Sequence, residues 1–255
     1  MMHGREKSDL AVVAAKPANN DGRPSAELVE RRAGAEGNAG QDRTRRAQDR
    51  ASVSKGLDRV RHVARTRKKE RFTALLHHVT PDLLRTSFFA LERRAAPGVD
   101  GLTWQAYEGD LDGRIEDLHQ RVHRGAYRAL PARRGFIPKA DGSRRPLAIA
   151  ALEDKIVQRA TAAVLSAVYE EDFLGFSYGF RPGRGAHDAL DALAVGITRT
   201  KVNWILDADI RSFFDAVNQE WLLRFLNHRI GDPRILRLER NKRVPHAAMG
   251  VKAAA

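Results

Sequence analysis

Apolar residues recur at helical spacing along most of the chain from about Phe72 onward. The clearest stretch runs from Leu152 to Val168, where an apolar residue appears every three or four positions and predicts a long amphipathic helix. The chain is therefore expected to be mostly helical, with Gly231-Asp-Pro233 ending the last helix. Shorter stretches with the same spacing lie at residues 72–79, 83–91, 104–111, 115–122, 189–197 and 221–226.

Two stretches depart from this pattern and predict strands. Extended runs on either side of Asp141-Gly142 predict a β-hairpin, because Asp-Gly favours the tight turn that joins antiparallel strands. Pro138 and Pro146 place these strands at a sheet edge, since proline has no amide hydrogen to donate to a central ladder. Apolar and polar residues also alternate from Val202 to Asp209, which predicts a short strand ending at Asp209.

The carboxylate of Asp209 is a candidate metal ligand. A carboxylate at the end of a buried strand costs free energy unless a cation neutralises it, so a metal site is the first hypothesis to test there. On spacing alone a second interpretation stays open, in which Asp209 only ends a strand and Asp215 begins a turn.

The two ends of the chain differ in composition from its middle. Residues 1–50 contain few large apolar side chains and predict disorder. Residues 52–71 are strongly basic and form either a solvated helix face or an arm that contacts phosphates. The predicted domains are a disordered basic tail over 1–70, a helical N-terminal extension over 71–125, a main domain over 126–243 and an unstructured tail over 244–255.

Composition narrows the class of partner. The chain has 45 Lys and Arg against 32 Asp and Glu, a formal net charge of +13, which favours a polyanion such as nucleic acid. We expect no membrane partner, because no run of about 18 apolar residues is present. The absence of cysteine excludes disulfides and cysteine-ligated zinc, and we expect a cytoplasmic location.

Two segments carry candidate nucleic-acid contacts. In the segment from Ser177 to Asp188, aromatic side chains could stack on bases while Arg181 and Arg184 meet a phosphate backbone. Alternatively, Tyr178 and Phe180 fill the core of a rigid loop, and His187 is a structural histidine. The predicted hairpin carries five cations that either hold phosphates or serve solubility, namely Arg133, Arg134, Lys139, Arg144 and Arg145.

Five motifs together resemble the reverse transcriptases encoded by bacterial group II introns, the intron maturases. The resemblance extends over about residues 72–240 and follows the order and spacing of that family. It implies an α+β fold comprising the fingers and a partial palm of a right-hand polymerase, mostly helical with a β-hairpin and a short antiparallel sheet. The motifs are Ala96-Pro-Gly-Val-Asp-Gly101, Phe136-Ile-Pro-Lys-Ala-Asp-Gly-Ser-Arg-Arg-Pro-Leu147, Leu152-Glu-Asp-Lys-Ile-Val-Gln158, Ser177-Tyr-Gly-Phe-Arg-Pro-Gly183 and Ala208-Asp-Ile-Arg-Ser-Phe-Phe-Asp215.

The resemblance also implies roles for single residues. Asp209 would be catalytic and would bind Mg²⁺ together with the backbone carbonyl of Ile210. Lys139 and Arg145 would hold the triphosphate of the incoming nucleotide, and Phe214 would leave no room for a 2′-hydroxyl group. The implied partners are group II intron RNA or another structured RNA, with primer DNA and deoxynucleotides in the full-length family. The implied RNA-binding residues are Arg133, Arg134, Arg144, Tyr178, Phe180, Arg181 and Arg184.

One departure from the family affects the expected activity. The family takes further metal-binding carboxylates from a Tyr-x-Asp-Asp motif, and this sequence contains none. We therefore expect the N-terminal part of an RNA-directed DNA polymerase, a nucleotidyltransferase of a mobile element, truncated before that motif and inactive alone. Two alternatives stay open: a non-catalytic RNA-binding module with a maturase-like role in splicing, and a sugar-transferring enzyme with a metal-nucleotide site at Asp207-Ala-Asp209. The sequence does not predict an oligomeric state.

Overall fold

The computed structural model of the chain describes residues 39–138, 142, 144–210, 213 and 217–241, and for residues 39–43, 145 and 241 it describes the backbone alone. The tails predicted over residues 1–38 and 244–255 lie outside the described residues. None of the helices among the described residues is both long enough and apolar enough to cross a membrane. The elements are α1 (Ala39–Thr66), a 3₁₀ turn (Leu76–His78), α2 (Pro81–Phe89), α3 (Trp104–Glu108), α4 (Leu111–Arg124), β1 (Arg133–Pro138), β2 (Arg144–Ile149), α5 (Leu152–Tyr169), α6 (Ala186–Arg199), α7 (Gln219–Arg229) and α8 (Pro233–Asn241).

The core lies where α2, α4 and α5 pack together. Phe88 of α2 stacks on Trp104 at the start of α3, with ring centroids 4.5 Å apart. Leu118 of α4 and Ile156 of α5 are fully buried beside them. The long helix predicted from Leu152 is confirmed, and its apolar stripe is the face that packs on α2.

Helix α1 corrects the prediction that residues 1–70 form a disordered tail. Leu57, Val60 and Ala64 lie on one face of α1 and are buried in the core. Farther back, Asp49 on this helix accepts a hydrogen bond of 3.1 Å from the buried guanidinium of Arg85. Composition predicted disorder here because the few apolar residues lie among many charged ones. Their spacing of three and four positions still makes one continuous helical stripe.

The C-terminal helices are joined to the start of the core by Asp232. Its buried carboxylate accepts hydrogen bonds from the amides of Leu75 (2.8 Å) and Leu76 (2.9 Å), and from Arg234. Burial alone would raise the pKa of Asp232, but the bonds from Arg234, Leu76 and Leu75 outweigh it and hold the pKa at about 2. The helix predicted over 72–79 is only a single 3₁₀ turn, whose first amides Asp232 caps. Helix α8 was not predicted.

The β-hairpin is confirmed, with β1 and β2 antiparallel and Phe136 opposite Pro146. The strand predicted from Val202 to Asp209 is wrong, because these residues form no ladder with any described residue. Their side chains are exposed, and Trp204 retains 92% of its accessible surface. An alternating pattern predicts a strand only when a neighbouring strand completes its backbone hydrogen bonds. Among the described residues, the sheet is therefore the hairpin alone.

Candidate nucleic-acid interface

The hairpin presents two arginines and an aromatic ring on one face. Residues opposite each other in an antiparallel pair share a face, and alternate residues do so as well. The observed register pairs Arg134 with Ala148, Phe136 with Pro146 and Pro138 with Arg144. Arg134, Phe136 and Arg144 are all exposed, and the Arg134 guanidinium lies 5.2 Å from the centroid of the Phe136 ring. This face offers cations for phosphates and a planar surface for stacking.

The remaining cations predicted in the hairpin have different positions. Arg133 donates a hydrogen bond of 3.1 Å to the carbonyl oxygen of Pro97, so it anchors the base of β1 although it was predicted to bind RNA. Arg145 is paired in register with Ile137, and its position therefore belongs to the other face of the ribbon from Arg144. The side chain of Arg145 and the whole of Lys139 lie outside the described residues.

The base of the hairpin rests on a tight loop. A Cβ atom on Gly98 would lie 2.5 Å from the Cα atom of Ala151, so only glycine permits this approach to the start of α5. The ammonium group of Lys155 donates a hydrogen bond of 2.9 Å to the carbonyl oxygen of Ala96. Together with the bond from Arg133 to Pro97, these contacts wedge the loop between β1 and α5.

A buried carboxylate that was not predicted completes this attachment. Asp154 of α5 accepts hydrogen bonds from the Tyr127 hydroxyl and from the Leu130 amide, the latter at 3.0 Å. Burial raises the pKa of Asp154, partly offset by these bonds. The sequence did contain a signal, because Asp154 lies three positions before Val157, on the buried side of an amphipathic helix. An acid on such a face needs a specific partner.

The loop between α5 and α6 is built around Arg181. Its guanidinium is buried and bonds the carboxylate of Glu170 at 2.9 and 3.0 Å and the carbonyl oxygens of Leu174 and Ser177 at 3.1 and 2.9 Å. Arg181 was predicted to bind RNA, and in this conformation its guanidinium instead bonds groups of the loop itself. Arg184 also bonds the loop backbone at Ser177.

The aromatic residues of this loop are not in the core. Phe180 is fully exposed, so the interpretation that it fills the core is wrong. Its φ is 57°, in the left-handed region that costs a residue with a side chain about 1–2 kcal/mol. Tyr178 is half-buried, with the Arg184 guanidinium 5.3 Å from its ring centroid. The surface next to α6 thus has a fully exposed aromatic ring, Phe180, near cations that are held by the loop backbone.

The predicted metal ligands do not form a complete site among the described residues. Asp209 and Ile210 are exposed in an irregular segment, so the expectation of a buried carboxylate at a strand end is wrong. No group of three or more metal-ligating side chains comes together in the part of the chain that the structure describes. Mg²⁺ requires near-octahedral oxygen coordination, which two neighbouring residues do not supply. Phe214 and Asp215 lie outside the described residues.

Comparisons with known proteins identify the family. Residues 137–246 match the family model described as reverse transcriptase (RNA-dependent DNA polymerase). The chain is 39% identical over 145 residues to protein YkfC of Escherichia coli, covering 56% of this chain and 38% of that protein. It is 28% identical over 184 residues to the group II intron-encoded protein LtrA of Lactococcus lactis, covering 71% of this chain and 30% of LtrA.

A third relative also belongs to an intron. The chain is 34% identical over 149 residues to a 91 kDa protein in the cob intron of Schizosaccharomyces pombe, covering 58% of this chain and 18% of that protein. The chain therefore spans less than two fifths of the length of each of these three relatives. Together, the domain match and the intron-encoded relatives show that the chain carries a reverse transcriptase segment similar to those of group II intron-encoded proteins.

Proposed function

We propose that this chain forms the RNA-gripping part of a reverse transcriptase domain, its fingers and the beginning of its palm. The observation that carries the proposal is the hairpin face with Arg134, Phe136 and Arg144. Arginine forks suit phosphates, and an exposed ring between them suits a base or a sugar. The expected ligand is group II intron RNA or another structured RNA.

The proposal assigns the nucleotide side of the domain to other residues. Lys139 and Arg145 would contact the triphosphate of a deoxynucleotide, and Phe214 would exclude a 2′-hydroxyl group. Asp209 would be one Mg²⁺ ligand together with the carbonyl of Ile210. Further carboxylates would have to complete that site, and no group of three or more metal-ligating side chains forms among the described residues. We therefore propose that the 255-residue polypeptide binds RNA and does not extend a primer by itself.

The first test is RNA binding by the purified 255-residue polypeptide, measured by fluorescence anisotropy over a range of salt concentrations. Affinity should fall steeply with salt, because phosphate contacts release counterions. Replacing both Arg134 and Arg144 with Ala should weaken binding and reduce the slope of log affinity against log salt by roughly one per lost contact. The control replaces two exposed arginines of the helical body, Arg124 and Arg240, and should change the affinity less. Equal losses in the two double variants would contradict the assignment to the hairpin.

The second test is primer extension on an RNA template with deoxynucleotides and Mg²⁺, comparing wild type with Asp209→Ala. We expect no extension by either protein and unchanged RNA affinity in the variant. Extension that disappears in Asp209→Ala would show an active polymerase and contradict the proposed inactivity. RNA binding without extension supports the alternative of an RNA-binding module with a maturase-like role in splicing.

A further inference from the structure

The orientation of the basic hairpin depends on contacts at its base. Among the described residues, every position of β1 except Gly135 is exposed, and the core contains no residue of either strand. Six-residue strands extend about 20 Å, so a tilt of about 10° at the base would move the tip by about 3 Å. A displacement of that size separates an arginine from the phosphate that it should contact. Whatever fixes the base therefore decides where Arg134 and Arg144 point.

One fixed point at the base is a buried carboxylate. Both oxygens of Asp154 accept hydrogen bonds from the segment that leads into β1, one from the Tyr127 hydroxyl and one from the Leu130 amide. Asp154 retains only 3% of its accessible surface, and Tyr127 retains 5%. Water therefore does not compete for these bonds. Arg133 begins the strand three residues after Leu130. A shift of Leu130 would therefore pass almost unchanged into the direction of the strand.

This choice of residue is costly for stability. A carboxylate on the buried side of α5 loses favourable hydration when the protein folds. An apolar residue at this position would have no such hydration to lose. Leu152 and Ile156 on either side show that the same helix has apolar residues at neighbouring buried positions. Asp154 accepts two bonds in different directions, which an apolar residue does not. It thus ties a tyrosine ring and a backbone amide to one place on α5.

We propose that Asp154 is a positioning residue for RNA binding, which sets the direction of the basic hairpin through Tyr127 and Leu130. This inference rests on the proposed function for its RNA-binding consequence, but the hairpin direction is measurable without RNA. Asp154→Leu removes both acceptor oxygens at similar volume and leaves the Tyr127 hydroxyl and the Leu130 amide without this partner. Tyr127→Phe removes only the bond from the hydroxyl and leaves the ring in place.

The experiment measures the hairpin direction by spin labels. The chain contains no cysteine, so introduced cysteines at Ala148 on β2 and Glu116 on α4, both exposed, take the labels uniquely. We expect a broader distance distribution in Asp154→Leu and in Tyr127→Phe than in the parent. In the unlabelled proteins, we expect RNA affinity about 3- to 10-fold lower. Thr161→Val is the matched control, because Thr161 is a buried polar residue of α5 whose hydroxyl, among the described residues, bonds within its own helix to Val157.

The control separates positioning from stability. Thr161→Val should lower the melting temperature while leaving the distance distribution and RNA affinity unchanged. An unchanged distribution in Asp154→Leu, or the same broadening in Thr161→Val, would overturn the inference. If the parent protein binds no RNA, the proposed function fails, and the spin-label distances still decide whether Asp154 orients the hairpin.

Discussion

At the scale of single residues, Phe180 combines a strained backbone with a ring that the described protein atoms do not cover. Bonds from Arg181 to Leu174 and Ser177 fix the loop around it, so the strain does not relax by local movement. Strain of this kind persists only where the surroundings enforce it, and it concentrates at functional sites. The aromatic ring is therefore the strongest single candidate for base stacking in this loop.

Phe180→Gly should raise the melting temperature by about 1–3 °C, because glycine adopts the positive φ without strain. The same change should weaken binding to unpaired RNA if the ring stacks on a base. Thermal denaturation and anisotropy measure the two effects. Phe176→Gly is the matched control, since Phe176 is also exposed but its φ is not positive, and it should not gain stability. A lower melting temperature in Phe180→Gly would show that the ring packs on protein.

Asp232 gives a residue-scale prediction with a defined pH dependence. Its folded pKa of about 2 lies below the usual value of 3.8, so its carboxylate stabilises the folded state above pH 3.8. That stabilisation is lost as pH falls through the folded pKa. Asp232→Asn should therefore lower the free energy of unfolding by about 2 kcal/mol at pH 7 and by much less near pH 2. Urea denaturation at both pH values measures this. Asp191→Asn, at an exposed position, should change the free energy of unfolding little at either pH. If Asp232→Asn were still about 2 kcal/mol less stable than the parent at pH 2, the assignment would be contradicted.

At the scale of elements, the helices differ in how firmly they are held. Helix α5 buries one face against α2 along much of its length. By contrast, α6 has no buried residue, and its Leu190 and Leu193 remain exposed although they share one apolar face. A short helix without packing is marginally stable in water. We expect α6 to exchange its amide hydrogens much faster than α5.

Helix α1 gives an element-scale test of the corrected domain boundary. Leu57→Asp buries a charge in the contact of α1 with the core and should destabilise the protein by about 3–5 kcal/mol. Hydrogen exchange over residues 44–66 should then become fast. Lys55→Asp introduces the same aspartate at an exposed position of α1 and should leave hydrogen exchange nearly unchanged. Equal exchange in the two variants would mean that α1 does not pack as described.

At the scale of the whole molecule, charge and exposed apolar surface have opposing effects. The formal charge of +13 favours solubility and binding to polyanions. Between residues 173 and 225, however, many large apolar side chains are exposed, including Trp204 and Phe225. Exposed large apolar side chains in such number commonly mark a contact surface or an aggregation hazard.

We therefore expect the isolated 255-residue polypeptide to associate with itself as its concentration rises, and to do so more strongly at high salt. Sedimentation velocity measures this. Replacing Leu190 and Leu193 with Ser should reduce association without affecting the core, because neither residue is buried. A protein that stays monomeric at high concentration and high salt would contradict this expectation.

The sequence by itself determined the local features of this protein. Helical spacing predicted α5 and α7, Asp-Gly predicted the hairpin, and motif order indicated the family, because each signal lies within a few neighbouring residues. Only the tertiary structure decided which patterned stretches are packed. It placed α1 in the core, left residues 202–209 without a strand partner among the described residues, turned Arg181 inward and brought Asp154 to Tyr127. Burial and hydrogen-bond partners depend on residues distant along the chain, so local periodicity does not reveal them.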